Sequence, residues 1–401
     1  MSRVEAVSAW EQTVSSHLPH LSKPQATVLA LWSYGVVAAQ CCGQTSVAAA
    51  LAVVLGQRQS TLRQRRREWL YAAEDKRGRP RRAVVVESCL APLLGWVLAW
   101  WTPASRQERR LVLAVDATSL GDRFVVLALG VLYRGCAIPV AWSVVPATQS
   151  GAWRPHWERL LAAMQASVPA GWTVLVLADR GLYAPWLFRA IVLLGWHPGL
   201  RLNSGEVGSG LYRVVGRRTW RPLAALLPGP GTAWRGRVDC FRDQTIRGTL
   251  LARWEPGYKE GWVLLTDLPA NRAEVAWYGL RAWIECGFKD LKRDGWQWQR
   301  TRTTDPERAG RCWLVLAVAT LWVVGVGGHA EDTQPASARA ALPPTHVARR
   351  RATGRAAPRL LSCFHRGLLV LSLTLPADPA GPTARFCPTP WPTATRPKTY
   401  P

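Results

Sequence analysis

The sequence predicts an α/β fold in which a mixed sheet is flanked by helices, with a helical N-terminal domain and an inserted β-rich subdomain. Three observations carry this prediction. Residues 1–104 contain long apolar stretches with helical character, and from Arg110 the pattern changes to buried β runs separated by helices. Residues 203–261 then interrupt that order with many Gly, Pro and Arg residues and short β-like pieces.

The N-terminal region, residues 1–104, is predicted to be a basic, helical unit. Residues 24–55 are rich in Ala, Val and Leu, a break follows at Gly56–Gln57, and Ser60–Thr61 can cap a helix over 62–73. A helix, a short break and an Arg-rich helix are compatible with a DNA-reading helical pair. A solvated basic helix that reads no sequence is the alternative. The candidate DNA contacts are Arg63, Arg65, Arg66 and Arg67.

The next segment, residues 105–202, is predicted to be the first part of the core, a mixed sheet flanked by helices. A buried run over 111–115 ends at Asp116, and two β-rich runs over 123–133 and 136–145 are joined like a hairpin across Arg134–Gly135. A helix over 157–166 follows, and then a buried run over 173–178 that ends at Asp179. A helix over 185–194 and a strand over 197–202 complete this part.

The remaining segments are the β-rich insertion 203–261, a second core part over 262–329, and a tail over 330–401. The second core part holds a strand at 262–265, a helix at 276–296 with Glu285, and an apolar helix at 306–326. The tail is rich in Pro, Ala and Arg, with one apolar stretch at 368–375. We expect the tail to be partly disordered or to serve in dimerisation.

Composition narrows the class of partner and the compartment. Lys and Arg total 51 against 26 acidic residues, a formal net charge of +25, which favours a polyanion such as nucleic acid over an anionic membrane surface. The nine cysteines are scattered without a CxxC pair, which predicts reduced thiols in the cytoplasm and neither a zinc site nor a disulfide framework. The apolar run 313–328 is shorter than the roughly 20 residues that a membrane span needs, so we expect a buried core helix and no membrane.

Two strand-terminal aspartates and one helical glutamate are the candidates for chemistry. An aspartate that ends a buried strand is costly unless it is paired, capped or bound to a metal. Asp116 and Asp179 would emerge at one edge of the sheet, where Glu285 could complete a three-carboxylate cluster suited to one or two Mg²⁺ ions. Two such ions about 4 Å apart can activate a water or a 3′-hydroxyl and stabilise a leaving oxygen. Alternatively, Asp116 caps the Thr118–Ser119 turn, and Asp179 pairs with Arg180 or with a nearby arginine.

The helix at 276–296 carries five polar side chains around its central acid. At roughly 100° per residue they fall within about 80° of one another, on one face. They are Tyr278, Arg281, Glu285, Lys289 and Lys292. The alternative reading is an exposed face with i,i+4 ion pairs.

The spacing Tyr278-x2-Arg281-x3-Glu285-x6-Lys292 resembles the Y-R-E-K signature of DDE transposases of bacterial insertion sequences, specifically the insertion-sequence-four family. Asp116 in Val-Asp-Ala-Thr and Asp179 in Ala-Asp-Arg-Gly resemble the first two acids of that family. The resemblance covers residues 105–328. It implies an RNase H-like core with a β-strand insertion, metal-dependent DNA cleavage at terminal inverted repeats, and transfer of the 3′-hydroxyl ends to target DNA.

By the same resemblance, the catalytic and metal-binding residues would be Asp116, Asp179 and Glu285, which would hold two Mg²⁺ (or Mn²⁺) ions. The phosphate contacts near the cleaved strand would be Tyr278, Arg281 and Lys292, assisted by Lys289. Relatives pass through a hairpinned end with the help of aromatic residues in the insertion, for which Trp254 and Trp262 are candidates.

The partners implied are double-stranded DNA and a second copy of the chain, as a homodimer in the active complex. The implied location is the bacterial cytoplasm, in association with the nucleoid. The alternative function is a catalytically silent DNA-binding derivative of such a transposase.

Overall fold

A computed structural model describes residues 3–76, 82–105, 108–149, 153–205, 210–335, 360–375 and 383–392. Within the first two of these ranges the chain forms α1 (Arg3–His17), α2 (Lys23–Ala39), α3 (Gln44–Leu55), α4 (Gln59–Leu70) and α5 (Glu87–Ala99). The predicted helix 24–55 is thus two helices, bent by 99°. The bend follows Gln40, whose left-handed backbone (φ 50) ends α2, and Gly43 then begins α3. Gly56 in the left-handed region (φ 63) ends α3 at the predicted break.

The centre of the molecule is a mixed sheet of ten strands among the described residues. Its first half contains β1 (Arg110–Leu120), β2 (Phe124–Tyr133), β3 (Cys136–Pro146), β4 (Thr173–Ala178) and β5 (His197–Arg201). β1, β2 and β3 are antiparallel neighbours, whereas β4 and β5 run parallel to β1. The predicted hairpin is present, with Arg134 (φ 45) and Gly135 (φ 87) in its two-residue turn.

Helices connect the parallel strands. α6 (Arg154–Gln165) precedes β4, and α7 (Pro185–Leu193) lies between β4 and β5. The α/β class with a large mixed sheet flanked by helices is therefore the architecture of the chain.

The region predicted as an inserted β-rich subdomain continues the same sheet. Its strands are β6 (Leu211–Val214), β7 (Arg221–Pro222), β8 (Ala233–Cys240) and β9 (Ile246–Arg253), followed by β10 (Trp262–Thr266). β9 pairs with β10, and β10 pairs with β5, so the strand order is β3-β2-β1-β4-β5-β10-β9-β8-β6-β7. The insertion therefore lengthens the core sheet.

The predicted helix 276–296 is two shorter elements. The chain forms a 3₁₀ segment (Val275–Arg281), and then α8 (Ala282–Leu291). α8 ends because Lys292 leaves the helical region, with φ −100 and ψ −114.

The apolar helix is longer than predicted. α9 (Pro306–Asp332) begins where the Asp305 side chain accepts a hydrogen bond from the Arg308 backbone N–H, a standard N-cap. It packs against α2 and β3, and Trp10 of α1 stacks on Trp322 at 4.1 Å. In the described residues α9 is the one helix that is long and apolar enough to cross a membrane, but its apolar stretch is wholly buried inside the fold. It is thus a core helix.

Two parts of the tail are built into the fold. α10 (Cys363–Thr374) packs against α9. Residues 383–392, here called the strap, pair with the end of α5 through a bridge between Trp101 and Phe386. Farther along the strap, Trp391 packs edge-on against Trp277 at 4.9 Å. The expectation for residues 336–359, 376–382 and 393–401 falls outside the described residues.

Candidate active site

The alternation of side chains along β1 and β4 determines on which face of the sheet the two aspartates lie. Successive side chains in a strand face opposite sides of the sheet. Val112 and Ala114 of β1, and Leu175 and Leu177 of β4, belong to the apolar cluster that the 3₁₀ segment and α8 cover. Asp116 and the residue directly after β4, Asp179, continue these two series by steps of two, so both aspartates are on the α8 side.

The register places the two aspartates side by side, but the prediction that Asp116 ends its strand was wrong. Val115 pairs with Ala178, the last residue of β4, so Asp116 and Asp179 follow directly after the parallel pairing. β1 itself continues to Leu120 because β2 goes on pairing with it. Asp116 Oδ1 accepts a hydrogen bond from Ala117 N–H at 2.8 Å, and Asp179 Oδ1 accepts one from Gly181 N–H at 2.8 Å.

Arg281 is the residue on which all three candidate acids converge. Its Nη2 lies 2.7 Å from Asp116 Oδ2 and 3.3 Å from Asp179 Oδ2, and its Nη1 lies 2.6 Å from Glu285 Oε1. The side chains of Arg281 and Asp116 are 11% and 17% exposed, so this ion pair is largely shielded from solvent, whereas the side chain of Glu285 is 46% exposed. The alternative that Asp179 pairs with an arginine is therefore present, but its partner is Arg281 and not Arg180, which pairs with Glu260 at 3.1 Å.

The electrostatics of this cluster are unbalanced, with one guanidinium against three carboxylates. Burial raises the pKa of Asp116 to about 6; Arg281 opposes this shift, and the nearby Asp179 and Glu285 add to it. Burial alone would lower the pKa of Arg281, but the negative charge of Asp116 and its neighbours raises it above its usual value. The cluster therefore has a deficit of positive charge.

The other members of the predicted polar face are distributed over three different environments. Lys292 Nζ donates hydrogen bonds to Thr118 Oγ1 and to the Ser119 carbonyl, both at 2.7 Å, and its partial burial lowers its pKa. Tyr278 is buried, and burial raises the pKa of its hydroxyl. Lys289 is exposed on α8.

The predicted single face is only partly realised, because the change from 3₁₀ to α geometry and the end of α8 at Leu291 alter the angular positions.

Two arginines and one acid flank this site, and of these only Arg180 was considered from the sequence, as a partner of Asp179. Glu260 accepts from Arg201 at 2.6 Å and from Arg180 at 3.1 Å. The Arg201 guanidinium also lies over the ring of Tyr278, 5.9 Å from its centroid. Arg180 directly follows Asp179 in sequence, so its place beside the site could be expected from the sequence. Arg201 and Glu260 are far from the three acids in sequence, so nothing local indicates that they lie near the site.

The two tryptophans considered for a hairpin step lie in different places. Trp262 begins β10 and packs edge-on against Tyr278, with ring centroids 5.1 Å apart. Trp254 is half-buried, and its indole N–H donates to the Tyr258 carbonyl at 2.9 Å. Only Trp262 contacts a residue of the predicted polar face.

The four candidate arginines of α4 do not share one environment. Arg63, Arg65 and Arg67 are exposed. Arg66 is buried, with its guanidinium 4.4 Å from the ring centroid of Trp32 and its Nη2 donating to the Cys42 carbonyl at 3.4 Å. The prediction that Arg66 contacts DNA is therefore withdrawn, because its guanidinium serves the packing of α4 on α2.

The chemistry of the acid cluster suits a divalent cation, although the arrangement does not yet form a cation site. Carboxylate oxygens are the ligands that Mg²⁺ prefers, and Asp116, Asp179 and Glu285 already converge on one cationic group. Over the described parts of the chain, no three His, Cys, Asp or Glu side chains are grouped so that they could hold a metal ion.

Comparison with known proteins adds a family to this geometry. Residues 108–322 match the family described as "Transposase DDE domain", and this region is more than half of the chain. A search of curated proteins found no match. Among solved structures, the piggyBac transposase synaptic complex with hairpin DNA is 10% identical, with a TM-score of 0.38 over 80% of this chain and 74% of the other. That likeness is too distant to carry an argument.

Proposed function

Since the chain belongs to the DDE transposase family, whose members bind DNA and act on it with divalent metal ions, we propose that it cleaves DNA at the terminal inverted repeats of an insertion sequence and transfers the freed 3′-hydroxyl ends to target DNA. The observation that carries this proposal is the convergence of Asp116, Asp179 and Glu285 on one point beside the sheet. Neighbouring carboxylates repel one another, and the single positive charge of Arg281 offsets only one of the three, so the cluster favours a further cation.

The finer assignments rest on the same site. Asp116, Asp179 and Glu285 would hold two Mg²⁺ (or Mn²⁺) ions, which when bound would activate the attacking oxygen and stabilise the leaving oxygen of a phosphodiester. We interpret the half-sheet β3-β2-β1-β4-β5 as an RNase H-like core, and the spacing of Tyr278, Arg281, Glu285 and Lys292 as the Y-R-E-K signature of the insertion-sequence-four family.

The basic residues make different contacts, which support different roles for them. Lys289 is exposed on α8 and can reach a phosphate directly. Lys292 is engaged with Thr118 and Ser119, so its first role in this proposal is to hold the end of β1 against the end of α8. In the N-terminal helices, Arg63, Arg65 and Arg67 supply exposed charge for the DNA backbone. Joining two DNA ends favours a homodimer as the active complex.

The deciding experiment is Mg²⁺- or Mn²⁺-dependent nicking of DNA that carries the terminal repeats of the element. Glu285→Gln should abolish cleavage while DNA binding survives, because the amide removes one anionic ligand and keeps the side-chain shape. Glu158→Gln is the matched control, since Glu158 forms the same i,i+4 pair with an arginine, Arg154, at 2.8 Å on the exposed face of α6. Cleavage by Glu285→Gln at the wild-type level would remove Glu285 from the catalytic set.

One observation favours a second candidate function, a DNA-binding derivative without catalytic activity. The Arg281 guanidinium engages all three acids, so the described residues offer no ready cation site. Tight, repeat-specific DNA binding without any metal-dependent cut would support this second function. Cuts at the repeat boundary that disappear in Glu285→Gln would exclude it.

A further inference from the structure

The acid cluster already contains a cation of its own, the guanidinium of Arg281. Each of the three acids gives an oxygen to it: Asp116 Oδ2 at 2.7 Å, Asp179 Oδ2 at 3.3 Å and Glu285 Oε1 at 2.6 Å. The second oxygens of the two aspartates accept backbone N–H groups. Arg281 thus engages one oxygen of each acid, and a divalent ion that bound to these oxygens would have to displace its guanidinium.

We propose that Arg281 is the resident counter-cation of this cluster, and that a divalent ion binds to the acids only in competition with its guanidinium. The inference rests on the proposed function in one respect, the assignment of the three acids as metal ligands. A single guanidinium charge offsets only one of three carboxylates, so a divalent ion is the better partner once it has lost part of its hydration. Arg281 therefore lowers the affinity of the acids for the ion while keeping them together without it.

The competition has a consequence for DNA. A guanidinium released from carboxylates is a planar, bidentate donor that suits a phosphate. Arg281 lies at the junction of the 3₁₀ segment and α8. Its Nε is buried without a hydrogen-bond partner, so one N–H donor of the guanidinium is unused while Arg281 is paired with the acids. Ion binding would free the guanidinium beside the reacting strand. By linkage, a DNA phosphate that takes up the guanidinium would strengthen ion binding in turn.

The test is Mg²⁺ binding to the full chain without DNA, measured by isothermal titration calorimetry. Arg281→Ala should bind Mg²⁺ at least tenfold more tightly than wild type, because the competing cation is gone. Arg281→Lys should fall between the two, since one ammonium cannot span three carboxylates. Arg189→Ala is the charge-matched control: its guanidinium contacts Gln244, and its affinity for Mg²⁺ should stay within twofold of wild type.

A second measurement covers the case in which Arg281→Ala folds poorly. In EDTA the melting temperature of Arg281→Ala should lie below that of wild type, because the three carboxylates lose their counter-cation. Mg²⁺ should then raise it by more than it raises the wild-type value. Weaker Mg²⁺ binding by both Arg281 variants, or equal Mg²⁺-induced stabilisation of Arg281→Ala and wild type, would overturn the competition and make Arg281 an orienting residue for the ligands.

Failure of this inference can be told apart from failure of the proposed function. If wild type nicks DNA and Glu285→Gln does not, but Arg281→Ala gains no Mg²⁺ affinity, only the competition is refuted. If neither wild type nor Arg281→Ala binds Mg²⁺, and Glu285→Gln leaves nicking unchanged, the acids are not the metal ligands and both proposals fail.

Discussion

The crossing of α9 and α10 supports a quantitative prediction, because two glycines bring the two backbones into contact there. A Cβ added at Gly327 would lie 1.9 Å from the carbonyl oxygen of Cys363 and 2.9 Å from the backbone nitrogen of Gly367. Real Cβ contacts essentially never come under 3.0 Å, and these neighbours are backbone atoms that cannot rotate away. Gly327→Ala must therefore push the two helices apart by about 1 Å, which is overpacking.

The size of the effect follows from two opposing terms. Replacing Gly by Ala inside a helix stabilises by about 1 kcal/mol through propensity alone. Overpacking costs about 3 kcal/mol when the neighbours are rigid. The free energy of unfolding of Gly327→Ala should thus fall by about 2 kcal/mol. Gly95→Ala in α5 is the matched control: its Cβ would meet nothing within 4 Å, so only the propensity gain of about 1 kcal/mol applies.

The assay is urea unfolding followed by circular dichroism, with free energies from linear extrapolation. The two Gly→Ala variants should move in opposite directions, separated by about 3 kcal/mol. Equal stabilisation by both substitutions would show that α10 does not pack on α9 through Gly327. The tail would then be the loosely attached region that its composition indicates.

Three further predictions follow from single contacts. Burial, reinforced by Asp294, raises the pKa of Asp290 to about 8. The free energy of unfolding of the wild type should therefore fall by about 1.4 kcal/mol per pH unit as pH rises from the unfolded-state pKa of Asp290 to about 8, because the unfolded chain releases the proton first. Asp290→Asn should remove this decline. Urea unfolding from pH 5 to 8 that gives both proteins the same pH slope would refute the prediction. Lys292→Met should lower the free energy of unfolding by about 2 kcal/mol through loss of its bonds to Thr118 and the Ser119 carbonyl; unchanged urea midpoints would show that the ammonium is free for DNA. Arg63→Ala should weaken DNA binding in a salt titration with stability intact, whereas Arg66→Ala should lower the melting temperature, and the reverse pattern would contradict their assigned burial.

The strands, and the sheet edge at which the two aspartates lie, could be predicted from the sequence because a run of apolar β-forming residues is visible locally. The run 173–178 coincides with β4, and the turn at Arg134–Gly135 is where β2 and β3 are joined. From these runs alone, Asp116 and Asp179 could be expected at one edge. That β1 continues past Asp116 could not be predicted, because it depends on its pairing with β2.

The contacts that the sequence did not reveal are long-range. Arg281 and Glu285 are local helix neighbours, but the distance from Arg281 to Asp116 depends on how α8 packs over the sheet. Arg66 is buried because its guanidinium packs on Trp32 of another helix. The arginine-rich run 63–67 does not indicate which of its arginines makes such a contact. The packing of α10 depends on the absence of side chains at Gly327 and Gly367, which a composition-based view of the tail overlooks.

The stack of Trp10 on Trp322 has a consequence for how the chain folds during synthesis. α1 is made first, yet Trp322 of α9, on which Trp10 of α1 stacks, follows more than 300 residues later. At roughly 5–20 residues per second, the surface of α1 around Trp10 waits roughly 15–60 s for this contact. Contacts of such high sequence separation fold slowly and expose the nascent chain to aggregation. The packing of α1 on α9 therefore forms late, and slower synthesis lengthens the period in which the surface of α1 around Trp10 is exposed.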